Sequence, residues 1–143
     1  MRFGLEWRDR RIGSTQTPRR FLDYVIDGAS LYEFHGADLI GTLGWLPRAA
    51  DEVAARRLLL DERPDLGDRV SLYVCPEDAD LLCGAITAVI AREHDEIVWR
   101  ELAMSWIEPL EGTWHHDSTA FAELSELRFE AARYVEAITR RPR

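Results

Sequence analysis

The sequence predicts an α+β fold, in which a mostly antiparallel sheet of about five to six strands carries two helices on one face. Several short runs alternate apolar and polar residues, which is typical of half-buried strands. Two longer segments instead space their apolar residues as a helix does. The connections between the later strands are of hairpin length, and because parallel strands need a long crossover, this favours antiparallel pairing.

The chain length predicts one domain spanning residues 1–143. A chain of this size buries roughly two-thirds of the surface that it exposes when unfolded. The residues are 46% hydrophobic and include five Trp. A hydrophobic core can therefore form without a disulfide or a structural metal.

The first half of the chain contains three predicted strands. Residues 3–7 alternate apolar with charged or small side chains. Residues 21–26 and 31–34 are further β-type runs, and the Asp-Gly pair at 27–28 between them is a strong hairpin signal.

Two segments are predicted to be helices. Residues 48–61 have apolar side chains near helical spacing, and Pro47 suits the first turn. Residues 130–140 have an apolar stripe that includes Tyr134 and Ile138.

The second half of the chain supplies the remaining strands. They are predicted at residues 70–74, 81–91 and 96–106. The middle one is apolar on both faces, which places it centrally in the sheet. Residues 108–117 are predicted to form a loop, and residues 118–127 show no clear pattern.

The charge of the chain is acidic and uneven. All 18 basic residues are Arg, a usage typical of GC-rich genomes that predicts an actinobacterial source. The net charge is −8; residues 1–20 have a net charge of +4, whereas residues 77–117 hold ten carboxylates against Arg92 and Arg100. Such an acidic block repels phosphate and anionic lipid, so neither nucleic acid nor a membrane is an expected partner.

The N-terminus has no apolar segment typical of a signal peptide, and no window approaches the roughly 18 apolar residues of a membrane span. The sequence therefore predicts a cytoplasmic bacterial protein. In that compartment Cys75 and Cys83 are expected to be thiols rather than a structural disulfide.

The two cysteines form a candidate thiol pair. Their C-x₇-C spacing is not a standard metal or redox spacing, so no metal and no cofactor are predicted. Buried or half-buried structural thiols are the favoured interpretation, and a reversible disulfide and a metal site are the alternatives.

The segment around these cysteines resembles a family of small uncharacterised actinobacterial proteins. The matching residues are Cys75-Pro76-Glu77, Asp80-Leu81, Cys83-Gly84-Ala85, Val98-Trp99 and Arg128-Phe129-Glu130-Ala131-Ala132. In that family the segment typically runs Cys-Pro-Glu-Cys-Gly-Asp-Leu-Gly-Cys-Gly-Ala. This chain has Asp78 and Ala79 in place of the middle Cys and its neighbouring Gly. A thiol pair or zinc knuckle of the kind that this motif implies therefore lacks one cysteine here.

The only histidine cluster is His115-His116, followed by Asp117. These side chains could serve metal binding or acid–base chemistry. Adjacent side chains on an extended segment point in opposite directions, so surface polar residues are the favoured interpretation. The chain has no phosphate-binding Gly-rich loop, nucleophile elbow or His-Glu-x-x-His motif, and no catalytic residue is predicted.

The favoured function is a non-enzymatic, acidic protein-interaction domain of the immunity-protein or antitoxin type, binding a basic protein. Its predicted surface combines acidic residues with an exposed Trp as apolar anchor, namely Glu77, Asp78, Asp80, Glu108, Glu111, Asp117 and Trp114. The alternative is a small redox or small-molecule-binding protein that uses Cys75, Cys83 and the loop containing His115 and His116.

Overall fold

The computed structural model describes residues 1–13 and 15–142; Ser14, which falls in a predicted loop, and Arg143 lie outside the described residues. In this part of the chain, nine strands form two sheets. The smaller sheet contains β1 (Phe3–Asp9), β2 (Arg20–Ile26) and β3 (Ala29–Ser30). The larger sheet contains β4 (Ile40–Gly41), β5 (Val70–Val74), β6 (Ala85–Glu93), β7 (Glu96–Glu108), β8 (Thr113–Asp117) and β9 (Glu126–Glu130).

The helices of the described residues connect or cover these sheets. They are α1 (Leu31–His35), α2 (Arg48–Leu58) and α3 (Ala131–Thr139), together with short 3₁₀ turns at Leu81–Cys83 and Thr119–Leu124. An α+β fold with mostly antiparallel strands is therefore confirmed. Across residues 1–13 and 15–142, the helices are all too short or too polar to cross a membrane.

Strand β7 organises the larger sheet. It pairs with β6 along one edge, while β9 and β8 occupy successive halves of its other edge. The two halves meet at Glu101, a non-glycine residue with a φ of 54°, and the carbonyl of Glu101 accepts a hydrogen bond of 2.8 Å from buried Arg69. Ala85, the first residue of β6, lies opposite Ser105. The connection between β5 and β6 therefore lies at the same end of the sheet as the β7–β8 hairpin.

Several segments differ from the sequence-based prediction. Residues 31–34 form a helix rather than a strand, because the Ser30 side chain accepts a hydrogen bond from the Glu33 amide and caps the first turn. Residues 81–83 form a 3₁₀ turn that is capped by Asp80, and the central strand starts only at Ala85. The predicted loop at 108–117 contains β8, which pairs with β7, and β9 lies in a region where no strand was predicted.

The two sheets meet where β2 passes β4. The Leu22 amide donates to the Leu43 carbonyl over 2.9 Å, which joins the sheets through the backbone. Gly41 is required at this crossing, because a Cβ atom there would lie 2.7 Å from the Leu22 carbonyl oxygen. The strands therefore form two sheets rather than the single sheet predicted. The alternation of apolar residues within each strand carries no information about the close contact that joins them.

The core is centred on Trp99 of β7, which is fully buried against the rings of Phe3, Phe129 and Tyr134. The Trp99 indole N–H donates to the Tyr134 hydroxyl over 3.1 Å, and that hydroxyl donates to the Leu58 carbonyl over 2.7 Å. These bonds satisfy the buried polar groups and connect β7, α3 and the last turn of α2.

Candidate functional site

Asp78 and Asp80 lie in the β5–β6 connection, and Glu108 and Glu111 lie at the tip of the β7–β8 hairpin on the same side of the larger sheet. Asp117 ends β8, opposite Met104. We call this surface the acidic end; it comprises Asp78, Asp80, Glu108, Glu111 and Asp117. Over residues 1–13 and 15–142, none of these five is in an ion pair. The acidic end is therefore a concentrated and uncompensated source of negative potential.

Three of these carboxylates also shape the backbone around them. Asp78 accepts a hydrogen bond from the Asp80 amide, and Asp80 accepts one from the Leu82 amide, both over 2.9 Å. Asp117 accepts one from the Thr119 amide over 2.9 Å. A hydrogen bond from the Thr119 side chain, followed by this backbone bond, lowers the Asp117 pKa. The turns at this end thus hold their carboxylates in place without neutralising them.

Large apolar side chains are exposed beside the carboxylates. Leu110, in the β7–β8 turn, is 95% exposed, and Leu82, in the 3₁₀ turn, is 65% exposed. Trp106, near the end of β7, is 40% exposed and stacks on His115 with ring centroids 5.5 Å apart. Exposed apolar side chains within a charged rim are typical of protein-binding surfaces.

The exposure of the two hairpin tryptophans differs from the prediction that Trp114 is the exposed one. Trp114 is half-buried, whereas Trp106 is the exposed tryptophan of the hairpin. Both residues lie on the paired strands β7 and β8, and the sequence-based prediction of a loop hid the pairing that decides which one faces solvent.

The two adjacent histidines make different contacts. His115 stacks on Trp106, whereas the Nδ1 atom of His116 lies 2.6 Å from the hydroxyl oxygen of Ser105. Burial, followed by the charge of Arg69, lowers the His116 pKa. The Ser105 side chain is fully buried and also contacts Thr87 over 2.8 Å, so no substrate can reach its hydroxyl. The hairpin therefore does not present a Ser-His nucleophile.

Glu77, which the sequence grouped with the acidic surface, is held by an ion pair. Its carboxylate accepts hydrogen bonds from Thr17 over 2.6 Å and from Arg10 over 2.8 Å, and these two contacts lower its pKa to about 2. The guanidinium of Arg10 is 3% exposed and also binds Asp38 over 2.6 and 2.8 Å. Arg10 thus ties the β5–β6 connection to the loop that precedes β2.

The same connection is also fixed through its backbone. Arg19 donates to the carbonyl oxygens of Pro76 over 2.7 Å and Glu77 over 3.1 Å. The Ala79 amide donates to the Cys75 carbonyl over 2.9 Å, and Ala79 has a φ of 60°. A non-glycine residue in the left-handed region is tolerated here because the surrounding contacts hold the turn.

The two cysteines lie together within this turn. Cys75 is half-buried at the end of β5, Cys83 is exposed, and both are free thiols. The Cys75 thiol, followed by desolvation and nearby carboxylates, raises the pKa of Cys83. The Sγ atoms of both residues and a carboxylate oxygen of Asp78 lie within 4.8 Å of one another. Among the described residues, this is the one place where three or more potential metal-ligand side chains come close enough together to hold an ion.

An open groove adjoins this turn. It has a volume of about 640 Å³ and lies between the first turns of α2 and the β5–β6 connection. Pro47, Ala50 and Val53 line one side, and Asp78 and Leu81 line the other. Asp78 therefore belongs both to the groove and to the thiol cluster.

Comparisons with protein-family models, with curated proteins and with solved structures found no match for this chain.

Sequence reasoning missed two features of this site. The sequence predicts Asp78 as part of the acidic surface and as the replacement of a cysteine, but not as a metal ligand. A carboxylate is also a metal ligand, and its place in a short turn between the two cysteines is a usable signal. The exposure of Leu82 and Leu110 is not predicted from the sequence. Leu82 falls in a predicted strand but lies in a 3₁₀ turn, and Leu110 lies in a turn within the predicted loop, where an apolar residue gives no signal of its exposure.

Proposed function

We propose that this protein is a non-enzymatic interaction domain that binds a basic protein through the acidic end. The immunity proteins and antitoxins of bacteria are the class that this proposal favours, in the cytoplasm that the sequence predicts. We also propose that the chain is related to the small actinobacterial proteins that its cysteine segment resembles. Because those proteins are uncharacterised, the resemblance indicates no particular activity. The observation that carries the proposal is the presence of five carboxylates that form no ion pair within residues 1–13 and 15–142, together with three exposed apolar side chains on the same turns and strands.

Charge and apolar surface have different roles in such binding. Exposed carboxylates accelerate the encounter with a basic partner, and salt weakens this effect over a Debye length of about 8 Å at physiological ionic strength. Apolar side chains such as Trp106 and Leu110 slow dissociation, because burying them removes apolar area from water. A surface with both elements therefore supports specific binding, whereas carboxylates alone support only weak attraction.

The test uses a synthetic amphipathic peptide of alternating Arg and Leu as the basic probe, with rates measured by surface-based kinetics. The triple variant Glu108→Arg, Glu111→Arg and Asp117→Arg reverses the charge of the hairpin part of the acidic end. We expect its on-rate at low salt to fall about tenfold or more. The difference should shrink at physiological salt.

A matched control reverses three exposed carboxylates elsewhere, in the variant Asp61→Arg, Asp95→Arg and Glu130→Arg. Both triple variants change the net charge equally, so an equal fall in on-rate would mean that only total charge matters, and the proposal would be wrong. Trp106→Ala should leave the on-rate unchanged and weaken binding about fivefold through faster dissociation. An unchanged off-rate in this variant would remove Trp106 as an anchor.

A further inference from the structure

Three potential metal ligands converge at the β5–β6 connection although they are not adjacent in sequence. Cys75 follows β5, Asp78 lies in the middle of the turn, and Cys83 ends the 3₁₀ turn. Their two sulfur atoms and one carboxylate oxygen are mutually within 4.8 Å. This convergence depends on the fold of the turn and is invisible in the C-x₇-C spacing.

The donor set fits a thiophilic divalent cation. Zinc is bound at about 2.3 Å by thiolate sulfur and about 2.0–2.2 Å by carboxylate oxygen, in a tetrahedron whose donors lie about 3.5 Å apart. Donors within 4.8 Å of one another can reach this geometry by small side-chain movements. Three protein ligands leave the fourth position for water, and the exposure of Cys83 and Asp78 gives that position access to solvent.

The turn is organised before any ion binds. Arg19 fixes the carbonyl groups of Pro76 and Glu77, and Arg10 fixes the Glu77 side chain. Asp78 uses Oδ1 to accept the Asp80 amide, so its carboxylate has a second oxygen to offer. A ligand set on an ordered backbone loses less conformational entropy when it binds an ion.

We propose that Cys75, Asp78 and Cys83 form a binding site for a zinc-type divalent cation, with a water molecule as the fourth ligand. Binding breaks the S–H bonds of both cysteines, releases both protons to solvent, and forms two metal–sulfur bonds and one metal–oxygen bond. No electron is transferred. The bound ion would offset the negative charge of the two thiolates and of Asp78.

The test is titration of the reduced protein with Co²⁺ and then Zn²⁺, followed by optical absorption. Cobalt reports its ligands directly, because a cobalt–thiolate bond gives a charge-transfer absorption that a cobalt–carboxylate bond lacks. We expect about one equivalent of Co²⁺ to produce this absorption and Zn²⁺ to displace it. Cys83→Ser should abolish it; because Cys83 is exposed, this variant should retain the circular dichroism of the folded protein.

Asp78→Asn and Asp80→Asn are the matched pair that tests the third ligand. Each removes one negative charge from the same turn, and each retains an oxygen that can accept the backbone hydrogen bond. We expect Asp78→Asn to weaken Zn²⁺ binding about tenfold or more, a loss seen even for outer-shell partners, and Asp80→Asn to have a much smaller effect.

Three results would overturn the proposal: no thiolate absorption with reduced protein, equal effects of the two Asp variants, or formation of a Cys75–Cys83 disulfide by a protein that binds no metal when reduced. The metal titration uses no protein partner, and the peptide test retains all cysteines. The failure of one proposal is therefore distinguishable from the failure of the other.

Discussion

The two ends of strand β7 carry carboxylates in opposite electrostatic settings. At its start lies a cluster that we call the paired end, in which three carboxylates surround two guanidinium groups: Glu93, Glu96, Glu126, Arg100 and Arg128. At its other end lies the acidic end, whose five carboxylates have no ion pair in the described part of the chain. The number of carboxylates in a segment therefore does not by itself give the net charge of the surface on which that segment lies.

The difference arises from what pairs with each half of β7. Strand β9 brings Arg128 beside the first half, with Val98 as its cross-strand neighbour, and Arg128 contacts all three glutamates. Strand β8, from Thr113 to Asp117, pairs with the second half and brings no Arg side chain. One half of the strand gains compensating charge from a segment distant in sequence, and the other half does not.

The largest expected effect tests how the acidic end is anchored. Arg10→Met removes a buried guanidinium that binds Asp38 and Glu77, and leaves both carboxylates without this partner. We expect the free energy of unfolding to fall by about 2 kcal/mol in urea titrations. Amide exchange in residues 77–80 should also become faster, because Arg10 holds Glu77 in place.

Arg11→Met is the control for this variant. Arg11 is 46% exposed, pairs with the exposed Glu33 over 3.1 Å and lies 4.3 Å from the centre of the Tyr32 ring, so its loss should cost no more than about 1 kcal/mol. If the two variants lost the same stability, the buried position of Arg10 would have no special importance.

A second prediction concerns titration of the paired end. The pKa of Glu126 is lowered mainly by its hydrogen bond with Arg128 and next by that with Arg100. The pKa of Glu93 is lowered mainly by Arg100 and next by Arg128. In Arg128→Gln we expect both pKa values to rise toward 4.5, and that of Glu126 to rise more. Carbon-detected NMR titration of the carboxyl groups measures both values in one experiment.

The same variant should change the acid dependence of stability. A carboxylate whose pKa is lowered by folding stabilises the folded state at pH values above about 4.5. This stabilisation is lost as the pH falls through the folded-state pKa. The loss on acidification should therefore be smaller in Arg128→Gln than in the wild type. Arg133→Gln is the control, since the ion pair of Arg133 within the described part of the chain is with Glu130, at 3.9 Å; a similar change there would contradict a local cause.

The smallest expected effect concerns the stability cost of the acidic end. Glu108→Gln with Glu111→Gln removes two unpaired charges and should raise the free energy of unfolding by no more than about 0.5 kcal/mol at low salt. The gain should decrease as salt screens the remaining carboxylates. Glu96→Gln, which removes a contact of 3.2 Å with Arg128, should not stabilise the protein. Destabilisation by the double variant would mean that these glutamates have favourable contacts.

The parts of the fold that the sequence predicted correctly are those governed by local periodicity. The strands near residues 3–7, 21–26, 70–74 and 96–106 are present, and β6 is central between β5 and β7 as its apolar character indicated. A strand buried on both faces needs apolar residues at every position, and this requirement is visible in a single segment.

The elements that were missed depend on partners distant in sequence. The strands β8 and β9 are rich in polar and charged residues, and pairing with β7 stabilises them more than their own composition does. Residues 31–34 have a β-type composition, but the Ser30 cap and Gly36, with a φ of 69°, favour one turn of helix.

The amino-acid sequence alone determined the α+β class, the acidic balance and the presence of a candidate thiol pair, because composition and local spacing are properties of one segment at a time. Only the tertiary structure decided which carboxylates are neutralised, which tryptophan is exposed, and that Asp78 lies with Cys75 and Cys83. Each of these depends on distances between segments, and such distances are set by strand register and by buried contacts such as those of Arg10.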